Sequence, residues 1–281
     1  MTRTALITGA SSGFGLLTTV TLARRGWRVL ATMRDLGRRP LLEDSARAAG
    51  VLDRIEIHQL NVTKPEEIGA IAALLEKRGA PLDAVVNNAG FAVPGFAEDV
   101  TDGELREQFD TNFFGAAALT RAILPLMRRQ GFGHILMVSS VSGRGAFPGL
   151  SSYVASKFAL EGWTETLRME VGALGIRISL VEPGSFETDI WTRNARISAR
   201  MQDPGGPNAE RVSRWRAELD RNNKRADPQM VADRIAVILE DPNPKLRYLI
   251  GTDARMALFL RRILPWSVYQ RMILKISAID G

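Results

Sequence analysis

The feature that most constrains this chain is a strand that runs into a glycine-rich turn and then directly into a helix. Thr4 to Thr8 is a short apolar run, Thr8-Gly-Ala-Ser-Ser-Gly-Phe-Gly15 follows at once, and Leu16 to Arg25 carries helical periodicity closed by Gly26. Glycine at 9, 13 and 15 permits a tight turn whose backbone can approach a ligand closely. The helix start behind it offers unpaired N–H groups to an anion such as a pyrophosphate, with Ser11, Ser12 and Phe14 completing the turn.

That strand has company. Strand-like runs recur at Arg28 to Met33, Ile55 to Leu60, Ala84 to Asn87, Ile135 to Ser139, Arg177 to Val181 and Tyr248 to Ile250, each separated from the next by helical patterns. Such alternation builds βαβ units in a parallel sheet. The runs are rich in Val, Ile and Leu on both faces, as expected where helices cover both sides. No linker, repeat or low-complexity segment interrupts them. The expected fold is therefore α/β: one doubly wound parallel sheet of Rossmann type, in a single domain.

The 281 residues, 45% of them hydrophobic, suffice for a large core. No cysteine occurs, so a disulfide framework, a thiolate metal site and a cysteine nucleophile are all excluded. His58 and His134 lie beside strands and read as structural, leaving no expected metal site. The net charge of +6 comes from 37 basic and 31 acidic residues that are interspersed, which argues against nucleic acid. Met1 to Thr8 enters the first strand without a signal peptide's apolar region, so a cytoplasmic location is expected. No apolar run of about 18 residues suggests a spanning helix.

The second strand ends at Met33-Arg34-Asp35, where the adenosine ribose of a dinucleotide would lie. Counting about 20 residues from the glycines nominates Asp35 as a ribose-binding acid. The strand tip itself is the uncharged Met33, however, and Arg34 follows with Arg38 and Arg39 nearby. A guanidinium suits a 2′-phosphate and a carboxylate repels it, so NADP(H) is favoured over NAD(H).

Tyr153-Val-Ala-Ser-Lys157 places a phenol and an ammonium on one helical face. A phenol titrates near pH 10, and a nearby cation with the positive end of a helix is expected to bring it down toward neutrality.

These motifs, with Asn87-Asn-Ala-Gly90, Asn112, Ser140 and Pro183-Gly184, resemble the short-chain dehydrogenase/reductase family in its compact single-domain branch. The resemblance covers residues 1 to about 190. More loosely, Ala31 to Asp35 and the apolar tail resemble its steroid- and retinoid-acting members. The resemblance implies an NADP(H)-dependent oxidoreductase interconverting an alcohol and a ketone or aldehyde on a largely apolar substrate. Ser140, thirteen residues before Tyr153, orients the substrate oxygen, with Ser139 and Ser142 as its competitors; Tyr153 exchanges the proton; Lys157 lowers the phenol's pKa and holds the nicotinamide ribose. Asn112 bends its helix and holds a relay water. Asn88, Ala89 and Gly90 lie beside the adenosine ribose. Pro183, Gly184, Phe186 and Thr188 belong to the segment covering the nicotinamide, with Thr188 on its carboxamide.

One departure stands at Asn61-Val62, where the family usually carries an Asp that accepts the adenine amino group; an amide oxygen can accept the same bond. Residues 190–226 form the expected substrate lid within a body of residues 1–251, and Phe147 is a candidate pocket wall. Residues 252–281 read as an amphipathic tail broken at Pro265, expected on the body or a subunit partner rather than on a membrane. The family further implies a homo-dimer or tetramer. A dinucleotide-sensing binding protein of the same fold is the alternative, since a sensor needs the glycines but neither Tyr153 nor Ser140.

Overall fold

The computed structural model describes residues 2–191, 195–221 and 225–277. Seven strands, β1 (Thr4–Ile7), β2 (Arg28–Met33), β3 (Ile55–Gln59), β4 (Ala84–Asn87), β5 (Gly133–Val138), β6 (Ile176–Pro183) and β7 (Arg247–Ile250), coincide with the expected runs to within a few residues. They pair in parallel in the order β3-β2-β1-β4-β5-β6-β7. The order reverses between β1 and β4, and a sheet wound this way opens a crevice beyond the carboxyl ends of those strands.

The helices are α1 (Gly13–Arg24), α2 (Arg39–Ala48), α3 (Pro65–Arg78), α4 (Asp102–Phe109), α5 (Ala116–Gln130), α6 (Ser151–Val171), α7 (Ala209–Arg221), α8 (Gln229–Glu240), α9 (Thr252–Ile263) and α10 (Trp266–Ile276). Alternate strand residues face opposite layers. Ala5 and Ile7 pack with Leu16 and Leu22 of α1, Leu42 of α2 and Ile235 of α8. Leu6 packs with Ile71 of α3, Ile123 of α5 and Leu160 of α6. Two buried faces explain the near-continuous apolar runs, and each fully buried Leu or Ile contributes about 1.5–3 kcal/mol.

The pattern from Asp102 to Arg129 reads as one helix, but its middle differs. A capping box of Thr101 and Glu104 starts α4, and Asp110–Gly115 then winds as a π-helix before α5 resumes. Two packing demands meet there. Asn112 is held from the side by Phe91 and Ser156, and Gly115 lies so close to Val62 that a Cβ would meet its Cγ2 at 2.6 Å.

A small third core of Phe96, Met201, Val212 and Trp215, with Leu150 against it, joins the expected lid to the loop after β4. Backbone bridges at Ala92–Ala195 and Phe186–Ala226 tether both lid ends. Lid residues 192–194 and 222–224, and tail residues 278–281, lie outside the described residues. In the tail, Tyr269 is buried and the Arg261 guanidinium stacks 6.0 Å from the ring of Phe158 on α6, while Met256, Phe259 and Trp266 are exposed. None of the described helices is long and apolar enough to cross a membrane.

Candidate active site

The glycine turn is locked to the loop after β4. Asn88 and Ala89 donate their backbone N–H groups to the Thr8 hydroxyl, both at 2.9 Å, and the Asn88 amide donates to the Thr8 carbonyl at 2.9 Å. Gly9 has φ +69° and Gly13 φ +52°, the left-handed region. At Gly15 the constraint is space: a Cβ would meet the Gly9 carbonyl oxygen at 2.2 Å. Ser12 does not cap α1 with its side chain and the first turn carries no acid, which leaves the positive helix end open to an anion. This cradle fits a dinucleotide's diphosphate.

A groove of about 510 Å³ runs along the strand ends. Every catalytic and cofactor-binding residue expected from sequence lines it except Gly15, which sits beneath the turn, and Asn112. Gly9, Ser11, Ser12, Gly13 and Phe14 form one end, with Arg34, Asn61, Val62, Asn88, Ala89 and Gly90. Ser140, Tyr153, Lys157, Pro183, Gly184, Phe186 and Thr188 form the other. Phe14 and Phe186 meet edge to face at 5.8 Å. Phe147 does not line the groove; its ring packs beside Gly145 instead. Sequence reasoning missed Phe91, Ile190 and Arg196, which do line it.

At the ribose end, Asp35 lines the groove too, and its Oδ1 accepts the Gly37 N–H at 2.8 Å, capping a short turn. Arg34 and Arg38 line the groove, whereas Met33 is 1% exposed and belongs to the core. Asn61 lines the groove, where its Oδ1 accepts the Thr63 N–H at 3.1 Å and the Thr63 hydroxyl at 2.9 Å within its own loop.

At the other end, Ser140 closes β5, where its Oγ accepts the Ser142 N–H at 3.1 Å and shares a hydrogen bond with Tyr153. Tyr153 lies in the first turn of α6, and Lys157, one turn later, donates Nζ to the Val138 carbonyl at 2.9 Å. Burial pushes the phenol up to about 12, opposed by the Ser140 hydrogen bond, and brings the ammonium down to about 8, opposed by Glu161. The expected lowering of the phenol is therefore not what the structure shows. Lys157 Nζ sits 5.8 Å from the centre of the Tyr153 ring and bonds the Val138 carbonyl, so desolvation outweighs the cation.

Asn112 is 1% exposed in the π segment. Its Oδ1 accepts the Phe91 N–H at 3.1 Å, and its Nδ2 donates to the Phe91 carbonyl at 3.0 Å and the Ser156 Oγ at 3.2 Å. The side chain ties α6 to the loop after β4.

Behind the site lies a buried charge cluster. Arg247 Nε stands 3.0 Å from a carboxylate oxygen of Glu161 and 3.0 Å from one of Glu182, and Arg144 Nη1 lies 3.2 Å from the other Glu182 oxygen. Burial pushes Glu161 up to about 7, helped by Glu182 and opposed by the Ser139 hydroxyl and Arg247. A glutamate inside the apolar β6 run was the sequence signal for this cluster. His134 is structural as expected: its Nε2 is 3.0 Å from Ser179 Oγ, and burial lowers the ring to about 3. Among the described residues no group of His, Cys, Asp and Glu fits a metal.

Comparison with known proteins agrees with this geometry. Residues 3–197 match the family model for short chain dehydrogenase. An uncharacterized oxidoreductase, YusZ of Bacillus subtilis, is 40% identical over 277 residues, 97% of this chain and 98% of its own. Retinol dehydrogenase 8 of Bos taurus is 36% identical over 280 residues, covering 96% of this chain and 88% of its own. A crystal structure of a short-chain dehydrogenase from Streptomyces avermitilis superposes with a TM-score of 0.82 at 34% identity, covering 100% of both chains. A parallel sheet with its crevice at the strand reversal, a phosphate cradle and relatives matched along nearly their whole lengths converge: this chain belongs to the short-chain dehydrogenase family, oxidoreductases that act on CH–OH groups with a nicotinamide dinucleotide.

Proposed function

We propose that this protein is an NADP(H)-dependent oxidoreductase that interconverts an alcohol and a ketone or aldehyde on a largely apolar substrate. The observation that carries the chemistry is the hydrogen-bonded Ser140–Tyr153 pair at the end of β5, inside the groove that also holds the glycine cradle. When bound, the nicotinamide supplies or accepts the hydride.

The chain's own groups handle the oxygen and its proton. Ser140 Oγ orients the substrate oxygen, and the Tyr153 hydroxyl gives the proton to it in reduction or takes it in oxidation. Lys157 is fixed by Val138 on the same helical face, where its charge favours the phenolate as that proton leaves. Asn112 acts at one remove, holding Phe91 and Ser156 in place.

Arg34 and Arg38 beside the ribose end, with Asp35 engaged in a turn, support NADP(H). Phe91, Phe186 and Ile190 along the groove support an apolar substrate, and the likeness to retinol dehydrogenase 8 supports a retinoid- or steroid-like one. Phe114, 55% exposed beside α5, and Phe158, 40% exposed on α6, support assembly through those helices.

Screening retinoid, steroid, acyl-thioester and sugar carbonyls for NADPH oxidation tests the reading. Turnover is expected with an apolar ketone or aldehyde. NADPH binding without turnover across such a panel would favour a dinucleotide sensor instead.

A further inference from the structure

We infer that Arg247 is a positioning residue for the reaction: bound between Glu161 of α6 and Glu182 of β6, it sets the helix that carries Tyr153 and Lys157 against the Pro183-Gly184 segment assigned to the nicotinamide. The inference rests on the oxidoreductase reading and extends it to a residue that does not itself line the groove.

Arg247 opens β7 and pairs with β6 opposite Leu180, which faces α6. Side chains two apart on a strand share a face, so Arg247 and Glu182 point toward the same layer. There the Arg247 Nε stands 3.0 Å from Glu161 and 3.0 Å from Glu182, while Nη1 donates to Glu165 at 2.7 Å. Glu161 and Glu182 are both buried.

Each partner adjoins a group of the site. Glu161 lies one helical turn beyond Lys157, and Glu182 directly precedes Pro183 and Gly184. Gly184 is held by β7 as well, its N–H donating to the Ile250 carbonyl at 2.9 Å. The turn after Ser140 closes on the same cluster. Arg144 pairs with the second Glu182 oxygen, and Gly143 lies so close that a Cβ would meet Ser139 Oγ at 2.7 Å and Glu161 Cγ at 2.8 Å. One cluster thus touches the elements that bring Ser140, the Tyr153–Lys157 face and the nicotinamide segment together.

Net stability is not what such a cluster supplies best, because the cost of desolvating the charges offsets much of their attraction. It supplies direction. A planar guanidinium with a fixed fork of donors holds its carboxylates at set angles, and a displacement of about 1 Å among reacting groups can cost about 100-fold in rate.

The charged groups around the two carboxyls are Lys157 and Glu165 on α6, Arg144 after β5 and Arg247 on β7. Burial raises both carboxyls, Glu161 to about 7, and Arg247 opposes the rise at each. Without Arg247 they ionise later and without that cation between them, so its loss is felt more as the pH rises.

The test uses the full-length protein, NADPH and the apolar ketone or aldehyde of the panel above that the wild type turns over fastest. Arg247→Met should lower kcat by about tenfold to 100-fold while KM and NADPH affinity stay within about threefold. The deficit in kcat should grow from about pH 6 to about pH 8. Glu165→Gln, on the exposed side of Arg247, should leave kcat within about twofold. Should Arg247→Met fail to fold, Glu182→Gln carries the test, because it leaves no buried charge without a partner: Arg247 keeps Glu161 and Glu165, and Arg144 is half exposed. There kcat should fall by about threefold or more at unchanged KM. Unchanged kcat in the folded variant, a loss confined to KM or NADPH affinity, an equal loss in Glu165→Gln, or an Arg247→Met deficit that is the same at both pH values overturns the inference alone. If the wild type turns over nothing in the panel, the oxidoreductase reading falls and the inference with it.

Discussion

Glu161 stands one helical turn beyond Lys157 on α6, and its charge opposes the burial that brings the Lys157 ammonium down to about 8. That support is conditional, because Glu161 itself is pushed up to about 7. The carboxyl binds its proton more tightly in the folded chain than in the unfolded one. Its contribution to stability is therefore complete below its ordinary value and is lost as the pH rises through about 7. Melting temperature should fall more steeply between pH 5 and pH 8 in the wild type than in Glu161→Gln, by an amount bounded by about 1.4 kcal/mol per pH unit for one group. Parallel melting curves for the two proteins across that range would count against a raised Glu161.

Tyr153→Phe removes the transferable proton while leaving the glycine cradle intact. Turnover of whichever carbonyl the wild type accepts should fall about 100-fold to 10,000-fold, with NADPH affinity within a few fold. Near-native rates in single-turnover experiments would remove Tyr153 from the mechanism.

Gly15→Ala should weaken NADPH binding by about tenfold or more, because the new methyl would lie 2.2 Å from the Gly9 carbonyl oxygen and the cradle must shift. Gly162→Ala serves as the control. Nothing lies within 4 Å of a Cβ there, its helix continues on both sides, and the substitution should leave affinity unchanged while adding about 0.5–1 kcal/mol of stability. Isothermal titration with each variant reads the first effect and thermal melting the second.

Cofactor choice should reverse with Arg34→Asp, since the carboxylate repels a 2′-phosphate and pairs with ribose hydroxyls. Met33 is the wrong place for that acid: at 1% exposure an unpaired carboxylate would destabilise the core. The ratio of NADPH to NADH affinity should swing by about tenfold or more. An unchanged ratio would detach Arg34 from cofactor recognition.

How much of this was legible in the sequence depended on how local each cause is. The seven strands were readable because helices bury both of their faces, and the glycine turn because Gly9, Gly13 and Gly15 meet steric demands within a few residues of one another. Ser140, Tyr153 and Lys157 lie on adjoining elements at a fixed spacing. Arg196 was invisible because its position depends on a bridge to Ala92 across the fold. The Glu161–Arg247–Glu182 cluster joins three distant elements, and only Glu182, set in the apolar β6 run, hinted at it. Asn61 was legible as a groove residue, but the bonds its oxygen makes to Thr63 within its own loop were not. The Tyr153–Lys157 spacing was right about which face the two groups share and wrong about the phenol, because periodicity carries no measure of desolvation.

The π segment Asp110–Gly115 also sets a phase. A π turn holds about one residue more than an α turn, so α4 and α5 are offset by about 100° from the angular positions that one unbroken helix would give them. That offset lets Gln108 face the Phe91–Val93 loop, bonding both, while Leu119, Ile123 and Met127 still face the sheet. Deleting any single residue between 110 and 115 would straighten the ladder and rotate one of these faces out of place, whichever residue was removed. Chain length through this segment is thus under tighter constraint than the identity of most residues in it, and an insertion or deletion here should disable the site more surely than a substitution.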